Sequence, residues 1–157
     1  MDLTKKLSKH FTLGEMVRTS HRLIDNTPSQ QQIANMSCLC DLFLEPIHKQ
    51  FGPLWITSGY RCPALNQLVG SSAASAHLHG CAADFVPMWN VRPITIVEWV
   101  TNSRLPYDQI IDEYSSTSNW VHLGIVLPGT RGTPRREALT MRGANYMPYE
   151  PNAGDKP

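Results

Sequence analysis

The sequence has no apolar run approaching ~18 residues, so no transmembrane helix is expected. It has no excess of one charge. Fourteen Lys and Arg stand against thirteen Asp and Glu, a formal net charge of +1, which is the balance of neither a nucleic-acid binder nor a polybasic membrane binder. Cysteine is scarce: four in 157 residues are too few for a disulfide scaffold. Met1 to His10 is polar and holds no apolar stretch, so no secretory signal is recognisable there. No internal repeat or linker divides the chain. What remains is the prior for one domain, of a size that buries roughly 68–70% of its unfolded surface and needs no staple to fold. Twelve Pro and four Trp point to a loop-rich domain.

The punctuation of the chain predicts its elements. Thr12-Leu13-Gly14-Glu15 has the form of a capping box and starts a short helix that fades by Ser20. Thr27-Pro28-Ser29-Gln30 reads as a second start, with Thr27 as cap and Gln30 closing the box. Ile33, Met36, Cys40, Phe43, Leu44, Ile47 and Phe51 then recur at helical spacing up to Gly52, with Pro46 expected to kink the helix or end its first segment. Strands are expected at 54–57, 82–86, 109–114, 120–127 and 137–141, and a helix from Pro93 to about Ser103. Residues 142–157 read as an irregular C-terminal tail. Helices first and mostly adjacent strands afterwards argue for an α+β domain, with N-terminal helices packed on a small antiparallel sheet.

Of six histidines, His10, His21 and His48 lie in polar or amphipathic surroundings and read as surface or interfacial residues. His77 and Asp84 stand seven residues apart among small residues, and His122 follows on an expected strand. Two imidazoles and one carboxylate are donors that zinc accepts, and three protein ligands leave a position open, as catalytic zinc sites do. His79 is the alternative to His77. By spacing alone the set is no more than a candidate, because a lone His on a strand is more often a hydrogen-bonded core residue.

The residues Ser75-Ala76-His77-Leu78-His79-Gly80-Cys81-Ala82-Ala83-Asp84, followed by Trp120-Val121-His122, resemble the zinc D-Ala-D-Ala carboxypeptidase and L-alanyl-D-glutamate peptidase family. His10-Phe11-Thr12-Leu13, Asn26-Thr27-Pro28, Ser58-Gly59-Tyr60-Arg61 with Asn66, and Tyr107-Asp108-Gln109-Ile110-Ile111 look like its phage-type branch. The similarity runs in order from about Leu7 to Met141, which sets the expected domain at 7–141. It implies a hedgehog-like zinc fold and a zinc metallopeptidase that cuts an amide bond in peptidoglycan stem peptides, as in a phage endolysin. His77, Asp84 and His122 resemble the zinc ligands. Arg61 resembles the arginine that grips a substrate carboxylate, for which a guanidinium fork is suited. Ser75 resembles a site-lining residue that binds substrate.

Glu113, nine residues before His122, occupies the place of an acidic residue in that branch and is the candidate general base. Asp112 is the alternative base: it should point to the opposite face of the strand from Glu113, so only one of the two faces the metal. Two positions depart from the family: Asn119 stands where many relatives carry an acid, and Gly124 where a Ser is frequent. Trp120 is expected as a cleft wall or a buried structural residue. Cys62 and Cys81 flank the site segments. Arg131, Arg135 and Arg136 form a small basic group that reads as a solvated loop. The expected partner is peptidoglycan stem peptide, with zinc as cofactor, no nucleic acid, no membrane insertion, and a monomeric chain acting at the bacterial cell wall. The alternative is a non-catalytic zinc-containing module of a cell-wall-binding or virion protein, since hedgehog domains share the zinc fold without evident peptidase work.

Overall fold

A computed structural model describes residues 1–143 and 145–151. Among the described residues, five α-helices precede or interrupt six strands: α1 (Leu13–Met16), α2 (Gln30–Leu39), α3 (Glu45–Phe51), β1 (Leu54–Ser58), α4 (Pro63–Leu68), β2 (Ala82–Pro87), α5 (Pro93–Asn102), β3 (Gln109–Tyr114), β4 (Asn119–Gly124), β5 (Glu137–Arg142) and β6 (Asn145–Pro148). The α+β class is the expected one. No helix among the described residues is long and apolar enough to cross a membrane.

The capping box at α1 forms as its sequence dictates: Thr12 Oγ1 accepts from the Glu15 backbone N–H, and Glu15 reaches back to the Thr12 N–H. The second helix starts two residues later than expected. Ser29, not Thr27, is the cap, and Gln32, not Gln30, completes the box. Thr27 and Pro28 lie before the helix, outside any regular element. Pro46 divides the long helix into two segments, as expected. It offers no N–H to the preceding turn and its ring crowds that turn, and the chain widens into a π-helical turn over Cys40–Leu44 before continuing as α3. Gly52 ends α3 with φ of +85°.

The sheet runs β1-β2-β4-β3-β5-β6. The four strands β1, β2, β4 and β3 are antiparallel neighbours, as expected. β5 differs: it lies parallel to β3, because the Pro- and Gly-containing connection from β4 carries the chain past β3 to its far side. β4 also stops at Gly124, short of the expected Leu127. Where an irregular tail was expected, Asn145–Pro148 forms an edge strand against β5. Residues 144 and 152–157 of that tail lie outside the described residues.

One face of the sheet is core. Phe85, Val121, Leu123 and Ile110 are fully buried with Met36, Leu39, Leu44 and Ile47 of the α2–α3 segment and Ile96, Val97 and Val100 of α5. The other face is left to line a cavity, and the period-2 alternation of the strands decides which side chains reach it.

Candidate metal centre

Register brings the distant residues together. Asp84 on β2 pairs directly with His122 on β4, and His122 pairs with Ile111 on β3. Directly paired residues share a face, so Asp84 and His122 project from the same side of the sheet. His77 arrives from a one-turn 3-10 helix, Ala76–His79, just before β2. His77 Nε2 lies 3.3 Å from His122 Nδ1 and 3.3 Å from Asp84 Oδ1, and His122 Nδ1 is 2.8 Å from Asp84 Oδ1. A tetrahedral ion with bonds of about 2.0–2.1 Å needs donors about 3.3 Å apart, so the triangle fits a first-row divalent metal. His77 and Asp84 are buried and His122 is partly so.

The tautomer of His77 fits as well. Its Nδ1 donates to the Gly59 carbonyl, which leaves the Nε2 lone pair facing the other two donors. His122 Nδ1 donates to Asp84. Ligation there requires that proton to move to Nε2, which makes no hydrogen bond among the described residues. Burial by itself would raise the Asp84 carboxyl, but the adjoining imidazoles of His77 and His122 hold it well below the usual carboxylate range. Burial likewise opposes the charge on both histidines. It prevails at His77, which is lowered; at His122, Asp84 and Glu113 outweigh it and the imidazole is raised.

A shell of side chains fixes this centre. Asn26 donates from Nδ2 to the Val17 and Tyr60 carbonyls and accepts from the Cys62 N–H at Oδ1, at 2.8–3.0 Å, so it clamps both sides of Arg61. Gln32 and Asn35, on α2, donate to the Leu78 and His79 carbonyls and hold the turn that carries His77. Gly80 closes that turn with φ of +69°, and a Cβ there would meet the Gln32 carbonyl oxygen at 2.7 Å. At Gly59 a Cβ would run into the Met16 backbone, which is why the carbonyl that orients His77 sits on a glycine. Sequence reasoning did not assign the roles of Gln32 and Asn35. A polar Asn between Ile33 and Met36 on a core-facing helix is the signal that could have found one of them.

The other expected residues divide. Arg61 Nη2 binds Asp84 Oδ2 at 2.6 Å and its Nε donates to Ser58 Oγ, which leaves Nη1 without a hydrogen-bond partner among the described residues. It is therefore tied first to the metal-candidate carboxylate and not to a surface acid. Ser75 caps the 3-10 turn through His77 N–H and also lines the cavity. Glu113 lines the cavity with Trp120 and His122, and its carboxyl is raised, chiefly by burial, with Asp84 adding and His122 opposing. Asp112 points to the core side, fully buried, and is held by Arg142 Nη2 and Asn119 Nδ2. His79 is exposed and outside the cluster.

All four cysteines are free thiols; Cys62 Sγ caps α4, and burial pushes the Cys81 thiol up to about 12. Two of the three arginines of the basic group are engaged internally, while Arg131 is exposed. Arg135 is paired with Asp108 and Glu137, and Arg136 donates to the carbonyls of Thr101, Ser103 and Leu105 at the end of α5.

The cavity above the three donors holds about 870 Å³, open to solvent, and is walled by Arg61, Glu113, Trp120, Leu139 and Tyr146. It is large enough for several residues of an extended peptide. A family model described as peptidase M15 matches residues 9–124, well over half of the chain and the whole of the three-donor centre. No curated protein matches the chain.

Proposed function

The chain belongs to the peptidase M15 family, and from that premise we propose that it is a zinc metallopeptidase hydrolysing an amide bond in the stem peptides of peptidoglycan. The observation that carries this reading is the triangle of His77 Nε2, Asp84 Oδ1 and His122 Nδ1 at donor separations of 2.8–3.3 Å on the floor of a cavity. Zinc held there by three protein ligands supplies Lewis acidity toward the scissile carbonyl and toward water.

The protein's own groups do the rest. Glu113 takes the proton of the attacking water and returns it to the leaving amine. Its raised carboxyl suits a group that must both accept and donate near neutral pH. Arg61 holds Asp84 in place through Nη2 and offers Nη1 to a carboxylate of the substrate. Stem peptides are rich in such carboxylates, and they place the protein's work at the bacterial cell wall, as expected of an endolysin. Ser75 keeps His77 in position by capping its turn and borders the bound peptide. The non-catalytic alternative would leave no acid facing the donors; the cavity position of Glu113 favours the peptidase.

The test is zinc content and hydrolysis measured together on the whole chain. Wild-type protein should hold zinc and release peptide fragments from purified peptidoglycan. His122→Ala should remain folded by circular dichroism, lose zinc from this centre and release none. A fully active His122→Ala protein would overturn the assignment.

A further inference from the structure

A second group of metal-type donors lies outside the cavity. His10, Glu45 and His48 each offer one donor atom, and the three atoms lie within 4.8 Å of one another. None of the three lines the cavity above His77, Asp84 and His122. Glu45 opens α3 and His48 follows at i+3, which sets both side chains on one face of the helix. His10 comes from the other direction. Its loop is closed by hydrogen bonds from the Leu7 and Ser8 N–H groups to the Phe11 carbonyl and anchored by the buried Leu7 and Phe11.

The carboxylate is oriented for a further ligand. Glu45 Oε1 accepts from Ser8 Oγ and from the His10 backbone N–H, both at 2.7 Å. That leaves Oε2 facing the histidines, 2.7 Å from His10 Nδ1. The His10 and His48 rings are stacked, with centroids 4.1 Å apart and planes 10° from parallel, and the edge of Phe11 packs on His48. Parallel rings do not yet aim their lone pairs at one point. His10, with 37% of its side chain exposed, has room to turn, and Glu45 is already held.

We propose that His10, Glu45 and His48 form a second divalent-metal site that clips the N-terminal loop to α3. Two imidazoles and one carboxylate suit zinc, nickel or copper over calcium or magnesium. Binding displaces the proton between His10 Nδ1 and Glu45, and water completes the coordination. The site does not depend on the metal or the chemistry proposed for the cavity.

Zinc alone is the probe, added to chelator-stripped full-length protein. In a His122→Ala background, which removes a ligand of the cavity centre, one zinc should still bind per chain and raise Tm. Both the zinc and the Tm rise should be lost when His48→Gln is added. His10→Gln, at an exposed ring that carries little of the core, serves if His48→Gln does not fold. In nuclear magnetic resonance spectra, the ring signals of His10 and His48 should shift together as zinc is added. The proposal is overturned if the His122→Ala protein binds no zinc, or if its zinc survives both His48→Gln and His10→Gln. In either case Glu45 and His10 are an ion pair and nothing more.

Discussion

Asn26 makes three hydrogen bonds from one buried side chain, and removing them should be costly. In Asn26→Ala, the Val17 and Tyr60 carbonyls and the Cys62 N–H lose their partner together. All four residues are buried, Asn26 at 8% exposure, so water replaces the amide poorly. At about 1 kcal/mol per bond, and more where a buried group stays unpaired, the loss should be about 3–4 kcal/mol. For a domain of this length that lowers Tm by roughly 6–16 °C. It should leave the protein folded at room temperature, given typical stabilities of about 5–15 kcal/mol. Urea unfolding of the metal-free protein gives the number directly. Asn26→Asp is the sharper control: it keeps the acceptor for the Cys62 N–H but turns a carboxylate oxygen toward two carbonyls, so it should lose at least as much as Ala. The clamp also flanks Arg61, so kcat/KM should fall in the fraction that remains folded. A loss below about 1 kcal/mol in Asn26→Ala, or a neutral Asn26→Asp, would refute the account of this loop.

Glu113→Gln should lower kcat by about 10²–10⁴-fold while zinc content stays at the wild-type level, which steady-state hydrolysis with metal analysis resolves. Asp112→Asn should instead act on stability, because Asp112 is buried against Arg142 and Asn119 and does not reach the cavity. Gly80→Ala forces a side chain into a left-handed residue against the Gln32 carbonyl and should cost about 1–3 kcal/mol in thermal or urea unfolding. The Glu45 carboxyl is depressed to about 2: burial opposes this, but His10 and Ser8 outweigh it. A depressed folded-state carboxyl stabilises above its unfolded value of 4.5, and that stability fades as pH falls from there toward 2. In metal-free buffer, Glu45→Gln should therefore be destabilised at pH 7 and show a shallower decline on acidification than wild type. Parallel acid limbs would contradict the pairing.

Much of the fold was legible because it is local. The Thr12–Glu15 capping box, the apolar spacing through Ile47, and the alternation of β3 all follow from periods and short contacts. Pro46 was expected to kink the helix or end its first segment, and the α-helix does divide before it, with a π-turn joining the two segments. The errors have physical causes. At the second helix, Thr27 and Ser29 each have a Gln three residues on, so the local pattern offers two boxes, and the one that forms is Ser29 with Gln32. The parallel placement of β5 and the pairing of Asn145–Pro148 depend on which edge of the sheet stands open, which no local pattern states. The candidate site was legible in its donors through a resemblance of motifs. The same resemblance pointed to Glu113 over Asp112, while strand alternation said only that one of the two faces the donors. Its supports were not: Asn26, Gln32 and Asn35 bind backbone carbonyls across gaps of up to 46 residues and leave no periodic trace. His10 and His48 read as separate surface residues for the same reason.

The most direct measurement is mass spectrometry of purified peptidoglycan incubated with the zinc-loaded protein, repeated with a chelator and again after zinc is restored. The account predicts new fragments ending at one stem-peptide amide bond, absent with chelator, restored by zinc, and absent with Glu113→Gln. Fragments that persist in chelator, or none from a fully zinc-loaded protein, would contradict it.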